Sequence, residues 1–394
     1  MKNNTKTGKK RRVVVVTGTR SEYGLLRPVM AGIDGHEGLG LQLVVTGMHL
    51  LRRFGYTVKE IEADGWRIDA RVKLQGEKDD VIGQSMGLGR AITKMSEEFY
   101  QLGSEVVLVL GDRIEAFAGA AAATASQLVL GHIHGGDVAA GVQDDAYRDA
   151  ISKLAHVHFA ATKAAKERLI GLGEEKFRVY QTGSPSIDNL AKIVCKDRAE
   201  LSKWAGFNVG EDYVVVLQHP AGGTAKQEEK RMRQTLEGCR CKGLKILVLY
   251  PNSDAGFSGI TRAIDKYASE EDIWVLKHIP RGIYLGFLKR SRALVGNSSS
   301  GIIEAGHLNV DVVNVGPRQT GRERGANVRD VDYGAAGIAR ELALMLRDRP
   351  ATKRKAERIY GDGRSGKRIA SILAKLNLDQ RLRQKRIAHT RVKQ

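Results

Sequence analysis

Three cysteines in 394 residues, Cys195, Cys239 and Cys241, are too few and too unevenly spaced for a disulfide framework. Cys-x-Cys without a second pair is no zinc ribbon either, so the thiols are expected to be inert. Long apolar runs are missing: nothing approaches the roughly 20 residues that a helix needs to span a bilayer. The lysine-rich start MKNNTKTGKKRR passes directly into VVVVTG with no signal-peptide pattern, which sets the expectation of a cytoplasmic protein without a membrane partner. Neither a Walker motif nor a GxGxxG fingerprint is present, which argues against a P-loop enzyme or an ordinary nicotinamide site, and no cofactor is expected. Acidic residues are outnumbered, 45 against 64 Lys and Arg, for a net charge of +19 that suggests an anionic partner. Much of the excess sits in the two tails, KTGKKRR and the stretch from RDRPATKRKAER to the end. Those tails hold few aromatics for base stacking and match no nucleic-acid motif, so a phosphate-bearing small molecule is favoured over nucleic acid.

What is there is alternation. RRVVVVTGTR, LQLVVTG, EVVLVLGD, LVLGHIHGG, VHFAAT and FRVYQTG read as strands, with helical stretches such as SEYGLLRPVMAGI, RIEAFAGAAAATASQ and AYRDAISKLAH between them. Uninterrupted β-branched runs belong to parallel strands covered on both faces. A polar bridge, SPSIDNLAKIVCKDRAELSKWAGFNVGED, interrupts the series, which restarts as YVVVLQHP, LKILVLYPNSD, IWVLKHIP, ALVGNSSSG and VDVVNVG. The expectation is an α/β chain of two doubly wound α/β/α domains, with a ligand cleft at the carboxyl ends of the strands. The expected boundaries are a basic tail over 1–12, a first domain over 13–185, a second over 186–365, and a basic C-terminal helix or tail over 366–394.

Polar residues gather at those strand ends, where functional loops lie. GNSSSGIIEAG opens a helix with Ser298, Ser299 and Ser300, so that backbone N–H groups and hydroxyls converge where the helix dipole favours an anion. Glu304 stands one turn further on, placed to accept from sugar hydroxyls, or simply to close a capping box. Arg20 and the downstream PRQTGRERG add cations. In GHIHGGDVAAGVQDDAYRDA, His-x-His followed by Asp raises a metal site; the second series of strands would then go unexplained, and no metal is expected. His132 and His134 alternate along a strand, so one should face the sheet and satisfy a backbone group. Asp112, Asp144 and Asp145 each precede or open a helix, where capping competes with catalysis.

GDRIEAFAGA, HIHGGD, DDAYRDAISKLAHVHF, TGSPSID, YPNSDAG, GNSSSGIIEAG and VGPRQTGRERGANV, in order over 13–332, resemble the hydrolysing UDP-N-acetylglucosamine 2-epimerases of sialic-acid and legionaminic-acid pathways. The resemblance implies a GT-B-like fold of two Rossmann-like domains, the second holding the nucleotide and the C-terminal helix returning to the first. It implies anti elimination of UDP from a UDP-N-acetylhexosamine and hydration of the resulting glycal to a free N-acetylmannosamine-type sugar, in a homodimer or homotetramer. By resemblance the catalytic residues are Asp112, Asp137, Asp144, Arg148 and His219. Arg20, Ser299, Ser300, Glu304 and Arg318 match nucleotide-holding positions, His49 and Asn252 line the cleft, and Arg113, Asp145, His278 and Ser298 complete the binding set.

Two positions depart from that family's pattern: Asp137 stands where Glu is usual, and Asp149 where His is usual. Asp for Glu withdraws a carboxylate by one C–C bond, about 1.5 Å, which matters for a group that must reach a proton. The class survives, while the exact sugar is open. A non-hydrolysing epimerase or a GT-B glycosyltransferase is the alternative.

Overall fold

The computed structural model describes residues 10–52, 55–74, 81–138, 143–240, 243–252, 254, 256–277, 279–347 and 358–388. The chain divides into two compact units, one of Met1–Asp137, Gln143–Asp188 and Tyr360–Gln394, the other of Val138–Val142 and Asn189–Ile359.

In the first unit seven parallel strands, β1 (Arg11–Thr17), β2 (Leu39–Thr46), β3 (Ala70–Val72), β4 (Val106–Leu110), β5 (Val129–Ile133), β6 (Val157–Ala160) and β7 (Val179–Gln181), lie in the order β3-β2-β1-β4-β5-β6-β7. The valine run of β1 explains why both faces are covered. Side chains alternate across a strand, and Val13 and Val15 join one apolar core with Leu26, Met30 and Ile369, while Val14 and Val16 join another with Ala118 and Ala122. The second unit repeats the plan with β8 (Tyr213–Leu217), β9 (Lys245–Leu249), β10 (Ile273–Leu276), β11 (Leu294–Gly296), β12 (Val312–Val315) and β13 (Val328–Val331), in the order β10-β9-β8-β11-β12-β13. In each sheet the strand order reverses beside the first strand, between β1 and β4 and between β8 and β11, and ligand sites form at such reversals.

Strands β3 and β13 were not expected from the sequence. Both are edge strands, short and charged: Arg71 of β3 is exposed between buried Ala70 and Val72, and β13 carries Arg329 and Asp330. Edges shed the apolar run by which interior strands are recognised.

The first unit's C-terminal portion begins at Tyr360, before the expected boundary at 366, because the Tyr360 carbonyl accepts from the Ser184 N–H at 2.8 Å. Helix Ser365–Lys375 follows, and its first free N–H groups go to one carboxylate: Asp188 accepts from Ser365 at 2.9 Å and Gly366 at 2.7 Å. Ile369 and Leu373 of this helix enter the β1 core. Beyond it the chain is held by Arg178, whose side chain is fully buried. Its guanidinium donates to the carbonyls of Arg381 (2.9 Å), Leu382, Gln384 (3.1 Å) and His156 (3.3 Å), and to Glu175 at 2.7 Å.

A methyl group cannot replace those donors, and buried unsatisfied acceptors each cost about 1–3 kcal/mol. Arg178→Ala is therefore expected to lower stability by at least about 3 kcal/mol and to raise amide hydrogen exchange across 376–388 ahead of the β1 core. Unchanged exchange in that segment would show that Arg178 does not hold it.

Candidate active site

Three turns at the carboxyl ends of neighbouring strands build the first unit's site: Thr17–Arg20 after β1, Gly111–Arg113 after β4, and His134–Asp137 after β5. The side chain of Arg148, on helix Gln143–Leu154, is 2% exposed and ties two of them together. It ion-pairs with Asp112 and Asp145 and donates to the Asp137 carbonyl at 3.1 Å. A buried guanidinium needs such partners, since desolvation of an unpaired charge costs several kcal/mol. Asp112 and Asp145 stay more accessible, at 22% and 33% of side-chain surface.

Capping, the competing reading, does not describe these carboxylates. The residue before helix Ile114–Ala125 is Arg113, which makes no side-chain cap, and Asp112 is taken by Arg148. Helix Gln143–Leu154 begins before the aspartate pair, so Asp145 lies in its first turn and reaches Arg148 three residues on. The Asp144 side chain lies outside the described residues.

The two histidines of HIHGGD separate completely. His132 is fully buried, its Nε2 against the Gly111 carbonyl at 2.8 Å and its Nδ1 against the Ser152 hydroxyl at 3.0 Å. His134 stands at the turn with φ +65°, its Nδ1 on Asp137 at 2.7 Å and its Nε2 on the Ser184 hydroxyl at 2.9 Å. Both nitrogens of each ring are thus engaged by different partners. Gly136 follows at φ +76°, and a side chain there would collide with the Ala165 carbonyl. The Asp137 side chain is 8% exposed.

His49 is also fully buried, between the hydroxyls of Thr17 at 3.2 Å and Thr57 at 2.7 Å. Arg20 is exposed and paired with Glu60 at 3.0 Å. Two acids that sequence reasoning passed over lie beneath the same turns. Glu115, 3.7 Å from Arg113, fills space that exists because Gly18 and Gly47 have no side chains. Glu22 accepts the Gly18 N–H at 2.7 Å, and burial raises its carboxyl to about 8. The Gly18 and Gly47 turns come from separate strands, so no local pattern announced this arrangement.

In the second unit the site again follows the reversal. Asn297, after β11, accepts the His219 N–H at 2.7 Å and donates to the His219 carbonyl at 2.9 Å, joining the β8 and β11 turns. Arg318 donates to the Asn297 carbonyl at 3.2 Å, and the Asn252 N–H donates to His219 Nδ1 at 3.1 Å. Ser298 caps helix Ser299–Ile302 through the Ser300 N–H, and its hydroxyl lies 2.9 Å from that of Ser300, which also meets Tyr284. The Ser299 side chain starts the helix, half-buried. Glu304 does not close a capping box: the helix breaks at Ile303 and the carboxylate pairs with Arg281 at 3.0 Å. Glu228, unforeseen and fully buried, holds the following loop by accepting from Ala221 and Gly223 at 3.0 and 2.9 Å. His278 lies outside the described residues. The geometry therefore joins Asp112, Asp137, Asp145 and Arg148 in one unit, and His219, Asn252 and Arg318 in the other.

A family model described as UDP-N-acetylglucosamine 2-epimerase matches residues 31–374. The UDP-N,N'-diacetylbacillosamine 2-epimerase (hydrolyzing) of Legionella pneumophila is 35% identical over 372 residues, covering 94% of this chain and 98% of that protein. The UDP-N-acetylglucosamine 2-epimerase of Neisseria meningitidis is 34% identical, over 83% of this chain and 85% of its own. A solved UDP-GlcNAc 2-epimerase from Neisseria meningitidis, bound to UDP-GlcNAc, superposes with a TM-score of 0.81 at 18% identity, over 93% of this chain and 100% of that one. That likeness shows the fold, two Rossmann-like units of the GT-B type. Among the described residues no helix is long and apolar enough to cross a membrane.

Burial drives His132 down to about 3 and His49 to about 4, from an ordinary 6.5. Below pH 6.5 the unfolded chain takes up protons that these native rings refuse. Their contribution is thus full above pH 6.5 and falls on acidification toward pH 4, by about 1.4 kcal/mol per pH unit for each ring. Urea unfolding followed from pH 7 to pH 4 should show this loss, and His132→Gln, though less stable at pH 7, should shed about one proton's worth of the slope. An identical slope in the variant would mean that His132 titrates normally.

Proposed function

Because the chain belongs to the UDP-N-acetylglucosamine 2-epimerase family, we propose that it acts on a UDP-2-acetamido sugar in the hydrolysing mode, releasing UDP and a free 2-epimeric sugar. The observation that carries this reading is the convergence of Asp112, Asp145 and the Asp137 main chain on the buried Arg148 guanidinium. C2 of an acetamido sugar is a poor carbon acid. Removing its proton needs a positioned carboxylate, and expelling UDP needs donors for the departing diphosphate.

Asp112 and Asp137, with Asp144 by family resemblance, serve the proton. One carboxylate takes the C2 proton, the C2–H pair becomes the C1–C2 double bond, and the C1–O bond breaks with its electrons passing to UDP. Water then adds: hydroxide to C1 and a proton to C2 on the opposite face, giving the inverted centre. Arg148 holds Asp112 fixed, and a fixed base is where intramolecular catalysis gains its advantage. Ser298, Ser299, Ser300 and Arg318 of the second unit supply hydroxyl and guanidinium donors for the diphosphate. The product is of N-acetylmannosamine or 2,4-diacetamido-6-deoxy type, a precursor for nonulosonic acid synthesis.

The test is incubation with UDP-N-acetylglucosamine, and separately with its diacetamido-deoxy analogue, in deuterated water, followed by NMR. Free UDP together with a free sugar deuterated at C2 is the expected result; a UDP-linked epimer or an intact substrate overturns the hydrolysing reading. Asp112→Asn is expected to lose at least about 10²-fold in kcat. Asp137→Glu, which overshoots His134 by one methylene, should lose about 10²-fold in kcat with KM little changed; full activity in that variant would remove the turn geometry from the mechanism.

A further inference from the structure

The basic residues near the end of the chain meet carbonyl groups of the first unit. Helix Gln380–Arg383, capped by Asp379, and the residues after it pack beside the segments that precede β5, β6 and β7. Arg383 donates to the Gln127 carbonyl at 2.8 Å, before β5, and the Ala388 N–H reaches the Gly173 carbonyl at 2.8 Å. Arg178, just before β7, draws in the carbonyls of Arg381, Leu382 and Gln384.

Lys385 makes a different kind of contact. Its side chain is 18% exposed, and its ammonium, a triple donor, meets three acceptors: the Glu174 carboxylate at 2.7 Å and the carbonyls of Ser152 and Lys153, each at 2.8 Å. Ser152 and Lys153 lie in the last turn of helix Gln143–Leu154, where carbonyls lack partners within the helix and the dipole favours a cation. Glu174 is held from the other side by His158 at 3.0 Å and by Lys153 at 3.2 Å. The ammonium thus enters a socket built by the body of the unit.

This helix is the one that carries Arg148, and Ser152 follows Arg148 by four residues, on the same face. The Ser152 hydroxyl meets His132 Nδ1 at 3.0 Å, and His132 Nε2 meets the Gly111 carbonyl at 2.8 Å. A carbonyl only accepts, so the neutral ring carries its hydrogen on Nε2 and takes the Ser152 hydroxyl hydrogen at Nδ1. Gly111 is the residue before Asp112. From Ser152, therefore, one path runs along the helix to Arg148 and another through His132 to the backbone of Asp112, the two partners of the buried ion pair.

We infer that Lys385 is a positioning residue for the Asp112–Arg148 pair: it caps the far end of the Arg148 helix and, through Ser152 and His132, steadies the pair from both sides. The reaction that the pair serves rests on the proposed function. Lys385 exchanges no proton with substrate; it limits the travel of the helix along its axis. A carboxylate that must approach a C–H bond is sensitive to such travel, since a displacement of about 1 Å can cost about 10² in rate. The basic end of the chain then has a role that needs no anionic partner.

Turnover of UDP-N-acetylglucosamine and NMR spectra of the full chain test this together. Lys385→Met keeps the length of the side chain and removes its donors. It is expected to lose about tenfold in kcat with KM little changed, and to shift the His132 Nε2–H and Arg148 Nε–H signals, assigned by their absence in His132→Gln and Arg148→Lys. Lys385→Arg, which keeps the charge and the donors, should recover most of the loss. Arg383→Met removes the contact with Gln127 instead and should leave kcat and both signals as they are. An unchanged kcat or unmoved signals in Lys385→Met overturn the inference, and so does an equal loss in Arg383→Met, which would reduce Lys385 to general support of the fold. Lys385→Gln carries the same comparison should the methionine variant not fold. Absence of turnover in the wild-type protein would sink the proposed reaction instead, and the two signals would still decide whether Lys385 steadies the pair.

Discussion

A guanidinium taken out of water must be surrounded by acceptors, and Arg148 meets that requirement with groups from three segments of the first unit. Asp112 comes from the β4 turn, Asp145 from its own helix, and the Asp137 carbonyl from the β5 turn. The desolvation cost of the arginine is what makes the arrangement specific, because a displaced carboxylate would leave a buried charge uncompensated. It also holds the Asp112 and Asp145 carboxylates in place while leaving them partly accessible. The doubly wound sheet serves this one contact by placing the ends of β4 and β5 side by side.

The remaining titratable groups divide by the same logic. The buried Glu174 carboxylate pairs with Lys385 at 2.7 Å, whereas the buried His49 and His132 rest on neutral hydrogen-bond partners. His132 and His49 meet hydroxyls and a carbonyl, and are held at about 3 and about 4 by burial. Glu22, backed by the Gly18 N–H but buried, moves the other way, to about 8. The β1 turn therefore rests on an acid whose carboxyl burial has raised, and the β4 turn on one paired with Arg148.

Legibility in the sequence followed the range of each interaction. Val13 to Val16 announced a strand buried on both faces because four consecutive residues carry that information, whereas β3 and β13 depend on a neighbour strand for their existence and left no run to read. Asp145 and Arg148 stand three apart on a helix, a spacing that favours pairing, but the helix pattern in the sequence starts only at AYRDAISKLAH, which leaves the aspartate open between capping and binding. Asp112 and Arg148 were connected only through family resemblance. The contacts of His134 with Ser184, and of Glu115 with Gly18 and Gly47, join positions that no helical or strand period relates. Such pairs are written in the topology.

Position 137 shows how far local geometry can go. An aspartate there looks like a glutamate cut short, but the turn that carries it is unusual: His134 at φ +65° and Gly136 at φ +76° bend the chain back on itself. The carboxylate three residues after His134 then meets its Nδ1 at 2.7 Å, while Nε2 is anchored on Ser184. One more methylene would carry the carboxylate past the imidazole or force the turn open. The aspartate and the histidine are therefore a matched pair, and the length of residue 137 has to be judged from where His134 stands and not from the carboxylate alone. Since Ser184 and Ser186 continue the chain of hydrogen bonds into the fully buried interior, that histidine has little freedom to adjust, and the short side chain is the one that fits.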